Sequence, residues 1–441
     1  MSPRAGRSGP VCSSKGAGIS LVIMATFIRP MSLSRSPDFA KLWSGYTIAV
    51  IGSQITVLAL PLTAILLLGA SATETGLLVA ARMAPALGIG LLIGAWVDRL
   101  PRRPIMVVCD IGSAIVIGSV PAAAALGILG LPQLYVVAFL AGVFAIATES
   151  ARTALVPTLV GRDQLVGANS RLQGSSAVAQ VAGPSLAGLL VQALTAPTAM
   201  LFDALTFLAS AALLAQVRVR ETVAPRAADS RVWHEIVEGL RWMRGHQIVF
   251  RSVVAIALAN IEWFAVQAIL VVYATRELAL PPALLGIAIA AMGPLSLVGV
   301  ALVGPLTARW GLGPVMIAAL FLETLSRLLL PFAAGTPIQA AAVLAVSQAL
   351  LGLTVPLWTV TSSSLQQAVT PERLLGRVTA ATRFVGWGVA PPAAFGAGLL
   401  ADAIGLRPTL FASAIIAAIA FVYLLASPVR RYRHPEPEPA P

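Results

Sequence analysis

Charge is what this chain has least of. Only 11% of its 441 residues are Asp, Glu, Lys or Arg, against about 25% in an ordinary soluble domain. With 58% hydrophobic residues and a mean hydropathy of +0.87, it has too little polar surface to face water, so its natural solvent is a bilayer. Lysine is nearly missing: Lys15 and Lys41 stand among 30 basic residues, a bias we read as coding rather than function. Cysteine is limited to Cys12 in a polar tail and Cys109 in an apolar run, so no disulfide is expected. His234, His246 and His434 have no metal-site spacing and cannot supply a Ser/His/Asp constellation. No phosphate-binding GxxxxGK[S/T] loop occurs, and the glycines of GIGLLIG (88–94) sit in an apolar run, where they serve packing. An enzyme, a cofactor and a resident metal are therefore not expected. The net charge of +12 would suit nucleic acid if the cations shared one soluble face, but they punctuate apolar segments instead.

What is present is a series of apolar runs near 20 residues or longer, the length a helix needs to cross a bilayer. They cover 42–69, 75–97, 105–128, 132–152, 171–194 and 196–217, then 249–274, 283–307, 314–334, 337–360, 376–401 and 406–427. The expectation is an all-α membrane protein with twelve spans in two six-helix bundles, 42–217 and 249–427. Residues 1–41 read as a disordered tail, with Met31 as an alternative start to Met1; its apolar run 16–28 is too short to span. The tail 428–441 closes the chain, and the linker 218–248 carries Val232, Trp233, Ile236, Val237 and Leu240 at the spacing of an amphipathic surface helix.

The arginines set an orientation. With both termini inside, 25 basic residues fall in inner segments and two, Arg276 and Arg407, in outer loops, a bias that predicts a plasma-membrane protein with cytoplasmic termini. The halves also repeat: Gly76 and Gly286 lie 210 apart, as do GAWVDRLPRRP (94–104) and GPLTARWGLGP (304–314), while Pro184 and Pro392 lie 208 apart. Parallel repeats of six helices build many secondary transporters.

The stretch GAWVDRLPRRP interrupts two apolar runs with one acid and three arginines. Read alone, its arginines are a positive-inside anchor. Gly94, Asp98, Arg99, Arg102 and Arg103 together resemble, position by position, the signature loop of the major facilitator superfamily; Gly304 and Arg309 echo it in the second half, with Ala308 in place of the acid. The resemblance implies a transporter working by alternating access, in which this loop links the two halves and breaks on switching. GANSRLQGSSAVAQVAGPSLAGLLV (167–191) is similar to the branch holding the macrolide efflux proteins and the enterobactin exporter, with Gly183, Pro184 and Gly188 matching a Gly-Pro bend that exporters share and Ala187 departing from it. Pro391, Pro392 and Gly396 repeat the device in the eleventh span. The resemblance implies export of an amphipathic compound against protons by a monomer. Alternatives are an importer of a small polar metabolite, or a sensor or scaffold with the same fold.

Ionisable groups within spans are costly and therefore functional candidates. Glu262 lies midway along the seventh span with Asn260 and Gln267 nearby, its repeat counterpart near Gln54; it is either a coupling or substrate site facing a cavity, or a Glu hydrogen-bonded to a neighbouring helix. Arg82 and Arg383 are candidates for recognising an anion. Asp110 is expected to join the basic loop, and Glu149 with Arg152 to form a local or latch pair at i,i+3. Glu323 and Arg327, at i,i+4, are expected to pair with each other, and Asp203 to be a helix-end contact. The fourth span lacks the Arg-x-x-Gln-Gly motif of some proton-coupled members of the superfamily.

Overall fold

The computed structural model describes residues 36–88, 100–161, 163–219, 221 and 232–433. Gly94, Asp98 and Arg99, most of the N-terminal tail, the start of the linker and the last residues lie outside them. Among the described residues the structure is helical throughout, with no strand. The helices are α1 (Pro37–Leu68), α2 (Ala72–Gly88), α3 (Arg102–Ala125), α4 (Leu131–Val160), α5 (Leu165–Ala193), α6 (Ala196–Ala215), α7 (Val232–Gly245), α8 (Gln247–Arg276), α9 (Pro282–Ala290), α10 (Met292–Trp310), α11 (Leu312–Leu329), α12 (Pro337–Val369), α13 (Glu372–Gly388), α14 (Ala390–Ile404) and α15 (Leu406–Leu425).

Eleven of the described segments are long and apolar enough to cross a membrane, α9–α10 and α13–α14 each counting as one. The second expected span begins as α2 and continues past the described residues. Several helices outrun their apolar spans: α1 starts at Pro37, α4 ends at Val160 and α12 at Val369. Hydropathy marks the part in lipid, while the hydrogen-bonded helix continues into the polar zone until a cap stops it. Ser36 caps α1 by accepting from the Phe39 N–H, Pro37 occupies the first turn, and Gly69 ends the helix at φ +66°, where a Cβ would be strained. Thr336 and Gln339 close a reciprocal capping box on α12.

In the first half α1 packs on α5 and α6, α3 on α4 and α6, and α2 on α4. In the second half α8 packs on α14 and α15, α11 on α12 and α15, and α10 on α12. The halves meet through α2 against α14 and α5 against α9. The apolar core shows where. One cluster joins Ile55, Leu58 and Val191 of the first half to Ile269, Tyr273 and Leu344 of the second. Two further clusters stay within one half each, Phe39 to Leu214 and Ala255 to Val429. The halves are therefore fused at one end of the molecule, the end bearing Gly69 and Gly405, and packed separately towards the other.

Candidate functional site

The core of the first half is not filled. A cavity of about 190 Å³, partly open, is lined by α1, α2, α3, α4 and α6. Its lining runs from Tyr46 to Leu60 along α1, about 20 Å at 1.5 Å per residue. The walls are largely apolar, with three charged groups among them: Arg82, Asp110 and Asp203. Asp203 is fully buried, accepting from the hydroxyl of Thr56 and, at 3.3 Å, from that of Thr206. It lies inside α6, eight residues in, which corrects the helix-end reading. Arg82 sits deep in the bundle yet keeps accessible surface, because it opens onto the cavity beside Asp203. Asp110 is 2% exposed, and its Oδ2 has no hydrogen-bond partner among the described residues. It faces the cavity from α3; Arg102 and Arg103 are engaged elsewhere. Valine at Thr56 removes a donor from a buried carboxylate, so Thr56→Val is expected to cost about 1–3 kcal/mol. Ser113→Ala, in the same wall, is expected to cost less, about 1 kcal/mol or under. Thermal unfolding of the purified variants compares the two.

The same place in the second half is plugged. Adding 210 to Gly52, Ser53, Ser113 and Ile117 gives Glu262, Trp263, Glu323 and Arg327. Three of the first-half residues line the cavity, and Gly52 beside them has no room for a Cβ against Thr206 and Asp203. Their second-half counterparts form a buried ionic cluster. Arg327 Nε lies 2.7 Å from Glu262 Oε1, with the two side chains 2% and 0% exposed. The N–H does not point along that line, so the contact is electrostatic rather than a well-formed hydrogen bond. Glu323, also buried, stands within side-chain reach of Glu262, and the guanidinium lies 5.5 Å from the Trp263 ring centroid. Glu262 therefore does not open onto a cavity, and Arg327 takes Glu262 of α8 rather than its own-helix neighbour Glu323 as close partner. Each core holds two acids and one arginine.

At the fused end the repeat is equally visible. The Asp402 carboxylate accepts from the N–H groups of Ala72 and Thr73 at 3.1 and 2.8 Å, capping α2 from the other half. Gln192, 210 residues earlier, accepts from the N–H of Ala283 at 3.1 Å and caps α9 in the same way. A Cβ on Gly188 would overlap the Pro282 carbonyl, and one on Gly286 the Pro184 carbonyl; Gly76 and Gly398 meet the carbonyls of Ala394 and Ala72 likewise. Arg276 donates to the carbonyls of Gly69 and Ala70 at 2.9 and 2.6 Å. These contacts hold the two halves together at this end.

The other expected site residues are scattered. Gln54 lies against Gly183, whose missing Cβ makes room for it. Asn260 donates to the Gly386 carbonyl at 2.8 Å, tying α8 to α13. Gln267 is the exposed residue in an otherwise buried stretch, 264–274. Arg383 and Arg309 are exposed, and Gly304 has no close neighbour. Arg102 and Arg103 give their backbone N–H groups to Glu221 and thus cap α3; Arg103 also donates to the Leu214 and Ala215 carbonyls at the end of α6. In this conformation both serve the first half rather than linking the halves. Glu149 and Arg152 form the local pair, with Arg152 over the Tyr46 ring. Pro184 lies within a continuous α5, and Pro391 and Pro392 lie in the first turn of α14, which starts one residue past the end of α13, with Val389 between the two helices still in the right-handed helical region. Gly396 is exposed and has open space where a Cβ would stand; the close-packed glycine is Gly398.

Glu221, Asp402 and Gln192 went unnoticed in the sequence. The last two carried a signal, since both sit at helix ends separated by the repeat offset.

A family model described as Major Facilitator Superfamily matches residues 42–386 and again 252–441. The multidrug efflux pump Tap of Mycolicibacterium fortuitum is 27% identical over 398 residues, covering 86% of this chain and 92% of that protein. Among solved structures, a bacterial homologue of the iron transporter ferroportin in an inward-facing state is similar with a TM-score of 0.74 at 17% identity, over 90% of this chain and 99% of that one. A bacterial ferroportin homologue in an outward-facing state with soaked iron gives 0.55 at 18% identity, over 88% and 98%. The nucleoside transporter NupG gives 0.69 at 12% identity, over 88% and 98%. At these identities the structures speak for the fold alone.

Proposed function

The chain belongs to the major facilitator superfamily, and on that premise we propose that it exports amphipathic small molecules in exchange for protons, by alternating access. It is an integral membrane transporter of small molecules and not an enzyme. The finer reading rests on the first-half cavity, whose apolar walls carry a partnerless buried carboxylate oxygen on Asp110. Apolar walls with few polar groups suit an amphipathic guest better than a polyol, which needs several donors and acceptors. Export is favoured by the likeness to a protein described as a multidrug efflux pump.

The arginine bias puts both termini in the cytoplasm, so the fused end faces outward and the conformation is inward-facing. The odd carboxylate in each core is where the coupling proton is held: Asp110 in the first, Glu262 with Glu323 in the second. Both cores are built from one chain, so a monomer suffices.

One variant tests the assignment. Asp110→Asn keeps size and polarity but carries no proton, and it is expected to lower pH-driven efflux at least about tenfold while substrate still binds. Accumulation in everted vesicles reads the first and a fluorescent-substrate titration the second. An Asp110→Asn protein that still accumulates substrate under a pH gradient at the wild-type rate removes Asp110 from the coupling.

A further inference from the structure

Helix α7 lies against the foot of α13. A Cβ on Gly239 would overlap the Arg377 backbone, so the helices touch without a side chain between them. Met243 joins Leu374, Val378 and Ala381 in a buried cluster with Val249 and Val253, and Glu238 pairs with Arg377. The membrane-spanning α8 starts at Gln247, just beyond α7, and the spanning segment of α13 starts at Glu372. The groove between α7 and α13 therefore sits at the starts of two membrane-spanning segments.

Its lining is Glu238, Arg241, Trp242, Arg373, Leu374 and Arg377. Glu238 and Arg377 neutralise each other. Arg241 and Arg373 are exposed and have no acidic partner among the described residues. Trp242 is half-buried and stacks on His246 at 3.8 Å between ring centroids, giving the groove a flat aromatic wall of the kind enriched at membrane interfaces. Leu374 supplies a buried apolar floor.

We infer that this groove binds the head group of an anionic phospholipid, with Arg241 and Arg373 holding its phosphate oxygens and Trp242 and Leu374 packing on the glycerol and first methylenes. A planar guanidinium matches phosphate oxygens in pairs, which an ammonium does not. Two uncompensated positive charges favour a phosphodiester whose head group carries no cation of its own, so phosphatidylglycerol is preferred to phosphatidylcholine. The lipid bridges α7 to α13 and fastens the linker to a helix foot that moves if the halves rock; that last consequence rests on alternating access, the binding does not.

The test uses the purified full chain in detergent and native mass spectrometry with increasing phosphatidylglycerol, phosphatidylcholine in parallel. Arg241→Gln with Arg373→Gln is expected to raise the half-saturating phosphatidylglycerol about tenfold or more, since the variant loses the charge-assisted hydrogen bonds to the phosphate. Phosphatidylcholine is expected to bind weakly and equally to both proteins. Both arginines are exposed, so the double variant should melt as the wild type does without lipid. Trp242→Leu, a second variant, should weaken phosphatidylglycerol binding as well. Equal phosphatidylglycerol retention by wild type and the double variant, or phosphatidylcholine binding as tightly as phosphatidylglycerol, overturns the proposal. So does displacement of the lipid by millimolar inorganic phosphate, which would mark a site for soluble anions.

Discussion

Arg327→Met is expected to lower the stability of the second half by about 3–5 kcal/mol, the usual cost of removing one partner from a buried ion pair. For a unit of this size that corresponds to a fall in melting temperature on the order of 10 °C. The cause is charge left without a counter-charge. Glu262 and Glu323 are both buried, and the only cation the described residues bring within 4 Å of Glu262 is Arg327. Methionine roughly keeps the volume but strands two carboxyl groups in an apolar core. The triple change Arg327→Met, Glu262→Gln, Glu323→Gln removes the charges together, and it should recover most of the lost stability, because a neutral cluster of similar shape carries no desolvation penalty for ions. Thermal unfolding in detergent reads both proteins. If the triple variant is as unstable as the single one, packing around Arg327 matters and the charge balance does not.

The second large effect is conformational. Gly286→Val should abolish transport while leaving the protein folded. Gly286 crosses Gly188 at the fused end, and any Cβ there overlaps the Pro184 carbonyl. Close backbone approach through small residues is how membrane helices associate without a hydrophobic force between them, so a branched side chain pushes α9 away from α5. The nearby cap from Gln192 to Ala283 should then be lost. In a background with Cys12 and Cys109 replaced, cysteines at 192 and 283 should cross-link readily, and much less after Gly286→Val. Cross-linking unaffected by valine would show that this crossing does not hold the end closed.

Much of this architecture was legible in the sequence because membrane burial is written in composition. Runs of twenty apolar residues, the arginine bias and the 210-residue repeat each reflect one physical constraint, and none depends on knowing which side chains meet. Partnerships were less accessible. Glu323 and Arg327 share a helix face and read as a pair, but the structure gives Arg327 to Glu262, 65 residues away. Spacing within a helix announces the local candidate and is silent about a competitor from another helix. Asp203 read as a terminal contact because it falls near the outer end of the sixth span, and nothing in the spacing announces that Thr56 of α1 donates to it. The first-half cavity could not be seen at all: it arises from Gly52, Ser53 and Ser113, each unremarkable alone, standing where the second half has Glu262, Trp263 and Glu323. Comparing halves position by position was the available signal.

The central claim is that protons drive substrates outward through these two cores. Everted membrane vesicles containing the wild type, Asp110→Asn or Glu262→Gln test it directly, with a panel of amphipathic compounds and an imposed pH gradient, acidic inside. The account predicts accumulation by the wild type that collapses with the gradient, and loss of that gradient dependence in at least one variant. Accumulation by all three proteins alike, or by the wild type with the gradient abolished, would contradict it.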